Sequence, residues 1–124
     1  MKRILTLSFC ILSLIGFSQG KFSFDRKVHK FPKTKEGVIL EHDYHFTNTG
    51  NQPILIEEIK VECSCTQVTF PKEPILPRKK GVIHLTFDTN NKYLFQDRIL
   101  EVHSNAKKSP VNIRLKVMVI NEKK

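Results

Sequence analysis

Apolar and polar residues alternate with a period of two along much of this 124-residue chain, and this alternation restricts the folds that the chain can adopt. The clearest run is Val111–Val119, in which every odd-numbered residue is aliphatic. Successive side chains of a β-strand point to opposite faces, so this pattern predicts a strand with one buried face. Six further segments carry the same pattern or a shorter version of it: 21–31, 38–46, 55–63, 66–70, 82–88 and 99–103.

Turn-forming residues separate the predicted strands. The segment Asn48–Pro53 contains a glycine that can adopt positive φ, and its proline can only open a strand. Pro71, Pro74 and Pro77 mark a longer irregular connection. No segment after residue 18 shows a helical period of useful length. About seven half-buried strands in roughly 100 residues predict an all-β fold, an antiparallel β-sandwich with one face of each sheet in the core.

The first 20 residues have the composition of a secretory signal peptide. Met1–Arg3 is positively charged, residues 4–17 are dominated by apolar side chains, and small residues follow at Ser18 and Gly20. The apolar run is shorter than the roughly 20 residues of a membrane-spanning helix. We therefore predict a signal peptide over residues 1–18, cleaved after Ser18 or Gly20, and a single domain over residues 19–124. We expect export to the periplasm or the extracellular space, with no transmembrane anchor after cleavage.

Positive charge dominates the predicted mature chain. Of the 21 Lys and Arg residues two lie in the leader, which leaves 19 against 12 Asp and Glu residues. This balance favours anionic neighbours such as cell-surface polymers, lipid headgroups or acidic proteins, although solubility alone also accounts for it. Export argues against a nucleic-acid partner. The expected partner is therefore a protein, a peptide or an anionic envelope polymer.

Cys63 and Cys65 are the only cysteines that remain after removal of the leader. On a continuous strand their Cα atoms would lie about 6.6 Å apart, at two rises of about 3.3 Å. Their Cβ atoms would then exceed the roughly 3.5–4.5 Å that a disulfide bond needs. A bond between the two cysteines therefore requires a bulge or a turn at Ser64.

Three interpretations of the cysteine pair remain open. The pair forms two buried thiols or a local staple at the end of a strand. Alternatively, Cys63 and Cys65 bind copper(I) or zinc(II), with His42 or His84 as a supplementary ligand. In the third interpretation the pair is an intermolecular or exchange-active thiol site.

His42 lies on the apolar face of its predicted strand, between Leu40 and Tyr44. A core histidine that bonds a backbone carbonyl explains this position, and metal ligation is the rarer alternative. His45, His84 and His103 fall on faces that the pattern marks as solvated. The surface is therefore their expected place.

Two basic runs, Arg78–Lys80 and Lys107–Lys108, fall in predicted loops. In the usual order of a sandwich these loops and the turn that follows Asn48 lie at the same end. We therefore predict a cationic docking surface at that end, with loops kept soluble by lysines as the alternative. The residues expected to form this surface are Asn48, Gly50, Asn51, Lys79, Lys80, Lys107 and Lys108.

Motifs that carry catalysis are missing from the sequence. There is no His-Glu-x-x-His, no Gly-x-Ser-x-Gly and no glycine loop that could cradle phosphate. The alternation directs both sulfurs inward, whereas thiol enzymes need an exposed thiolate. The sequence therefore predicts a protein that is not an enzyme.

Several segments occur in the order that is found in a known bacterial family. They are Phe46–Pro53, Cys63–Thr66, Pro74–Ile75 with Gly81, Phe87–Thr89 and Val102–Asn105. Over residues 38–120 the chain resembles a secreted family catalogued as domain of unknown function 1573. That family is similar to the Hydin-type and major-sperm-protein-like immunoglobulin sandwiches. Ser64 stands where the family usually has glycine, and glycine permits tight turns that serine resists.

The resemblance implies an immunoglobulin-like sandwich and an exported location, and it implies no catalytic activity. Together with the composition it predicts an exported, non-enzymatic interaction module of the bacterial envelope, with no cofactor. The alternative is a domain that handles metal, as copper or zinc, or thiol redox chemistry through Cys63-Ser64-Cys65.

Overall fold

The computed structural model describes residues 19–121, and its regular structure in that part of the chain consists of nine β-strands. The strands are β1 (Phe22–Phe24), β2 (Val28–Lys30), β3 (Thr34–Lys35), β4 (Ile39–Asn48), β5 (Ile56–Val61), β6 (Thr66–Thr69), β7 (Lys80–Asp88), β8 (Leu94–Ser104) and β9 (Val111–Ile120). Between Gln19 and Asn121 there is no helix with the length and hydrophobicity of a membrane span. The predicted leader, residues 1–18, lies outside the described residues.

The strands form two sheets that share one core. The first sheet has the order β1-β4-β7-β6, and the second has the order β2-β9-β8-β5, with β3 also beside β9. The longest pairings are antiparallel, β4 with β7 and β8 with β9. The predicted all-β sandwich is therefore confirmed.

Alternating side chains of the long strands fill the space between the sheets. Ile83, Leu85 and Phe87 of β7 have no exposed surface, and Ile113–Val119 of β9 buries every second residue to 1% exposure or less. These are the residues that the period-two pattern marks as inward-facing. Because burial of each such side chain contributes about 1.5–3 kcal/mol, this alternation is the main source of stability.

A buried tyrosine hydroxyl links the two sheets through the core. Tyr44 of β4 is 1% exposed, and its Oη donates a hydrogen bond of 2.8 Å to the carbonyl oxygen of Arg114 on β9. Burial raises the pKa of Tyr44 well above its usual range. The side chain therefore stays a neutral donor.

The N-terminal segment departs from the single strand predicted over residues 21–31. β1 pairs antiparallel with β4, and the chain then crosses to the other sheet, where β2 and β3 run parallel to β9. The Phe46 ring holds β1 in place, with ring centroids at 4.9 Å from Phe22 and 5.4 Å from Phe24. Pro32, which has no N–H, lies between β2 and β3. The predicted count of about seven strands thus becomes nine, and the second sheet is mixed rather than purely antiparallel.

The connections between strands gather at two opposite ends of the sandwich. Three connections meet near the start of β1: residues 49–55, 70–79 and 105–110. Three others meet near the start of β4: residues 36–38, 62–65 and 89–93. The functional candidates can therefore be divided by the end at which they lie.

Replacement of Tyr44 by Phe tests the bond between the sheets. We expect Tyr44→Phe to lower the free energy of unfolding by about 1–2 kcal/mol, because a buried carbonyl loses its donor. Tyr93→Phe is the matched control, since Tyr93 is 64% exposed and should tolerate the same change. Urea denaturation followed by circular dichroism measures both values. Equal stability of Tyr44→Phe and the wild type would contradict the assignment.

Candidate functional site

Asn48 is the structural centre of one end of the sandwich. Its side chain has no exposed surface. The Oδ1 atom accepts hydrogen bonds from the backbone N–H groups of Lys21, at 3.1 Å, and Gly50, at 2.9 Å. The Nδ2 atom donates to the carbonyl oxygens of Gln52, at 2.8 Å, and Ile75, at 2.9 Å. All the hydrogen-bonding capacity of this amide is used internally, so its role at this end is structural.

Gly50 lies directly against the N-terminal backbone. A Cβ atom at this position would lie 2.7 Å from the amide nitrogen of Lys21 and would also overlap the carbonyl oxygen of Gln19. The next residue, Asn51, donates its N–H to the same Gln19 carbonyl at 3.3 Å, and its side chain is exposed. Of the two, only Asn51 therefore offers a side chain to a partner.

Four lysines line one open groove at this end. Lys21 comes from the N-terminal segment, Lys27 from the β1–β2 connection, and Lys107 and Lys108 from the β8–β9 connection. The groove has a volume of about 360 Å³. The N–H of Lys107 donates to the carbonyl oxygen of Gly20 at 2.9 Å and fixes the loop against the N-terminal segment. We call this feature the basic groove.

The second basic loop lies on the other side of the Asn48 turn. The carbonyl oxygen of Lys79 accepts the N–H of Asn48 at 2.9 Å, and Lys80 pairs with Thr47 in the β4–β7 register. Both lysine side chains are exposed. The structure therefore brings the two basic loops and the Asn48 turn to one end, which we call the basic end. Its exposed lysines include Lys21, Lys27, Lys79, Lys80, Lys107 and Lys108, and Lys72 of the β6–β7 connection is also exposed.

The cysteine pair lies at the opposite end, in the turn between β5 and β6. Cys63 and Cys65 form a disulfide bond, with Cα atoms 5.2 Å apart. The N–H of Thr66 donates to the carbonyl oxygen of Cys63 at 3.2 Å, which closes the turn that this bond requires. Ser64 is exposed at the tip, and both cysteines are partly buried. The local staple and the exchange-active site are both compatible with this arrangement.

His42 stacks on a histidine of the other sheet. The ring centroids of His42 and His29 are 3.5 Å apart, with an angle of 9° between the planes, and Tyr44 meets His42 edge-on at 4.7 Å. Desolvation, and then the adjacent His29, lower the pKa of His42. Desolvation and the charge of Arg26 lower the pKa of His29. The stack is therefore a packing arrangement of neutral rings.

This position separates His42 from the proposed sulfur ligands. β7 lies between β4, which carries His42, and β6, which follows Cys65. Within residues 19–121 no three His, Cys, Asp or Glu side chains come together in a group that could hold a metal ion. Cys63, Cys65 and His42 thus do not form one ligand set in this structure.

His84 lies in an exposed charged cluster on the outer face of the first sheet. Its Nδ1 is 2.5 Å from the carboxylate of Asp43, and its Nε2 is 3.4 Å from that of Glu41. The hydrogen bond to Asp43 is the largest of the effects that raise the pKa of His84. Exposed pairs of this kind contribute little to stability, so we assign no site to them.

Sequence reasoning missed Lys21, Lys27 and His29 as neighbours of the predicted site residues. All three belong to the segment that was predicted as one strand. They lie beside the site residues because this segment crosses from one sheet to the other. The density of basic residues was the available signal. Four of the ten residues from Lys21 to Lys30 are Lys or Arg.

Comparison with known proteins gives a family match and several structural neighbours. A family model described as "Protein of unknown function (DUF1573)" matches residues 22–119. No curated protein has a significant sequence match to the chain.

The structural neighbours share the fold at low sequence identity. A crystal structure of a protein of unknown function from Porphyromonas gingivalis W83 has a TM-score of 0.70 and 12% identity, over 82% of this chain and 48% of that one. The chain therefore spans about half the length of that neighbour. The ASH/PapD-like domain 7 of human CEP192 has a TM-score of 0.69 and 12% identity, over 86% and 89% of the two chains. WR4, a C. elegans MSP family member, has a TM-score of 0.51 and 9% identity, over 83% and 99%.

Substitution of Asn48 tests whether this amide holds the basic end together. We expect Asn48→Ala to lower the free energy of unfolding by about 3 kcal/mol, because buried backbone groups lose their partners. The control is Asn51→Ala, an exposed position three residues away, which should change stability by less than about 0.5 kcal/mol. Thermal and urea unfolding provide the comparison. Similar losses in the two variants would be inconsistent with a central role for Asn48.

Proposed function

The chain belongs to the DUF1573 family of proteins of unknown function, and we propose that it acts as an exported, non-enzymatic binding module of the bacterial envelope. Its fold supports this proposal, because immunoglobulin-like sandwiches commonly bind protein segments through strand edges or loop ends. The leader-like composition of residues 1–18 supports export. The proposed binding surface is the basic end.

The basic groove is the observation that carries this proposal. Lys21, Lys27 and the Lys107–Lys108 pair reach the groove from three separate segments of the chain. Ammonium groups that face one cleft repel each other, and an anionic ligand relieves that repulsion. A fold that gathers like charges in this way is suited to an anion.

The proposed ligand is an acidic segment of a partner protein. Phe22, Pro110 and Val111 also line the basic groove, and Asn112 adds an amide. Apolar surface beside lysines matches a polypeptide that carries both carboxylates and apolar side chains. An anionic envelope polymer would offer the charge without the apolar groups, so the two ligands can be distinguished by experiment.

The residues of the groove support a role in binding rather than catalysis. None of the eight residues that line it is Cys, His, Ser, Asp or Glu. The groove therefore lacks the pairing of a nucleophile with a base on which covalent catalysis depends. Lysine is present as a fixed charge that attracts an anion.

Charge reversal at the basic end tests the proposal. We expect Lys107→Glu/Lys108→Glu to weaken binding to immobilised poly-L-glutamate by about tenfold or more, because two attractive contacts become repulsive. The matched control, Lys30→Glu/Lys33→Glu, changes net charge by the same amount at exposed positions away from the basic end. Surface plasmon resonance over a range of salt concentrations measures the affinity.

The pattern of losses decides the outcome. A loss confined to the Lys107/Lys108 variant supports a defined site, whereas equal losses in both variants indicate an effect of net charge alone. Alginate, an anionic polysaccharide, is the second probe. Tighter binding of alginate than of an acidic peptide with apolar side chains would exclude the proposed ligand class.

Thiol–disulfide exchange is the second candidate function, and the Cys63–Cys65 disulfide in an exposed turn favours it. A thiolate of a partner protein would attack one sulfur, and the other cysteine would leave as a thiolate. A second partner thiolate would then attack the mixed disulfide. The partner is thereby oxidised to a disulfide, and Cys63 and Cys65 are left reduced.

The residues present do not complete a site for the zinc that the sequence allows. The reduced pair supplies two thiolates, whereas a structural zinc site needs four ligands. His42 lies beyond β7. We therefore derive no step that involves a metal.

Titration with glutathione tests the exchange function. The disulfide closes a loop of only three residues, so its loss should lower the free energy of unfolding by no more than about 1–2 kcal/mol. We expect the native protein to be reduced and reoxidised reversibly with unchanged circular dichroism. Cys65→Ser should trap a mixed disulfide at Cys63 that mass spectrometry detects. If the disulfide is reduced only in denaturant, it is a structural staple and the exchange function is excluded.

A further inference from the structure

The end of the sandwich opposite the basic end exposes most of the large apolar side chains on the described surface. Among residues 19–121, eleven large hydrophobic residues are exposed, and seven of them lie at or next to this end. They come from the start of β4, the start of β8 and the end of β9. We call this set the apolar end: Val38, Ile39, Tyr93, Leu94, Phe95, Met118 and Ile120.

Three consecutive residues dominate the apolar end. Tyr93 is 64% exposed, Leu94 68% and Phe95 52%. Leu94 has a φ of 64°, a left-handed conformation that is unfavourable for a bulky residue. The chain adopts this conformation where the leucine side chain is left in solvent. Packing within the domain leaves these three side chains in solvent, and a partner surface would bury them.

Two open clefts lie among the apolar residues, and the smaller one adjoins lysines. A cleft of about 700 Å³ lies between Tyr93 and Leu94 on one side and Met118 and Ile120 on the other. In a second cleft of about 420 Å³, Phe95 and Met118 adjoin two lysines. These lysines are Lys30 and Lys33 of the edge formed by β2 and β3.

We propose that the apolar end docks on the surface of a membrane that contains anionic lipids. In this arrangement the side chains of Tyr93, Leu94 and Phe95 enter the boundary between headgroups and acyl chains. Aromatic and aliphatic side chains partition into that boundary. The ammonium groups of Lys30 and Lys33 contact the lipid phosphates, because long lysine side chains reach the headgroup layer from its edge.

The carboxylates of Glu36 and Asp88 near the apolar end bond the β7–β8 loop rather than these lysines. Glu36 accepts the N–H of Asn91 at 3.0 Å through its carboxylate, and Asp88 accepts the N–H of Asn90 at 2.9 Å. Both carboxylates thus stabilise the β7–β8 loop. Lys30, Lys33 and Lys92 are left as exposed or half-exposed cations around the apolar residues.

The distribution of charge and shape favours a membrane over two other occupants. A second copy docked end to end would place two sets of lysines against each other, and like charges oppose such a contact. A single protein segment would fill one cleft, whereas the exposed apolar side chains line two clefts and include Ile39, which lines neither. A planar, anionic and partly apolar surface satisfies all of these side chains together.

Vesicle binding provides the test. The probes are vesicles of phosphatidylcholine alone and of phosphatidylcholine with phosphatidylglycerol. We expect the wild type to sediment with the anionic vesicles, and Leu94→Ser/Phe95→Ser to bind them at least about tenfold more weakly. The matched control is Leu55→Ser/Leu76→Ser, because these leucines are 40% and 53% exposed outside the apolar end. This control should retain the wild-type affinity.

The contribution of charge is tested in the same assay. Lys30→Glu/Lys33→Glu should weaken binding to anionic vesicles by about tenfold or more. Lys60→Glu/Lys72→Glu, which has the same net charge, should lose clearly less. The basic-end variant Lys107→Glu/Lys108→Glu should also stay close to the wild type, which keeps this proposal separate from the proposed function. Loss in that variant and none in the Leu94/Phe95 variant would overturn the proposal.

A fluorescent reporter measures insertion directly. The chain contains no tryptophan, so Tyr93→Trp provides a single probe at the apolar end. Its emission should shift to shorter wavelength with anionic vesicles and should be quenched by lipids brominated on the acyl chain. Unchanged emission, or no sedimentation of the wild type with any vesicle, would refute docking. Sedimentation velocity that shows a dimer dissociated by Leu94→Ser/Phe95→Ser would instead assign the apolar end to a second copy.

Discussion

The apolar layer between the two sheets determines where every other feature of the molecule lies. Alternating residues of β7 and β9 are withdrawn from solvent, and Tyr44 is the polar group that bridges the layer. Reactive side chains have no room inside such a core. The lysines, the disulfide and the exposed aromatic residues are therefore at the ends and edges. The resulting molecule has one basic end and one apolar end, held a sandwich length apart by rigid strands.

The sequence was sufficient to predict the fold class, because alternation in Val111–Val119 and its counterparts depends only on which face is buried. It was insufficient for the N-terminal segment. β2 and β3 contain three and two residues, too few to show a period, and their parallel pairing with β9 depends on distant residues. The strand predicted over 99–103 begins earlier, at Leu94. Its start was not predictable from alternation, because Leu94 and Phe95 are consecutive apolar residues and both are exposed.

The candidate site was predictable in position but not in detail. The common location of the Lys79–Lys80 and Lys107–Lys108 loops follows from the usual strand order of a sandwich. The burial of Asn48 does not follow, since its four partners lie up to 27 residues away. The local sequence around an asparagine does not distinguish an exposed turn residue from a buried one. The stacking of His42 on His29 likewise joins two sheets and leaves no local signal.

The edge of the second sheet that β2 and β3 form affects how the protein behaves at high concentration. Sheet edges with free backbone groups can recruit strands from neighbouring molecules and grow into fibrils. Here the edge is divided into β2 and β3, with Pro32 between them and Lys30 and Lys33 alongside. Proline removes a donor, and the lysines repel a second copy of the same edge. The N-terminal segment that contributes to the basic groove thus also opposes aggregation through edge-to-edge strand pairing.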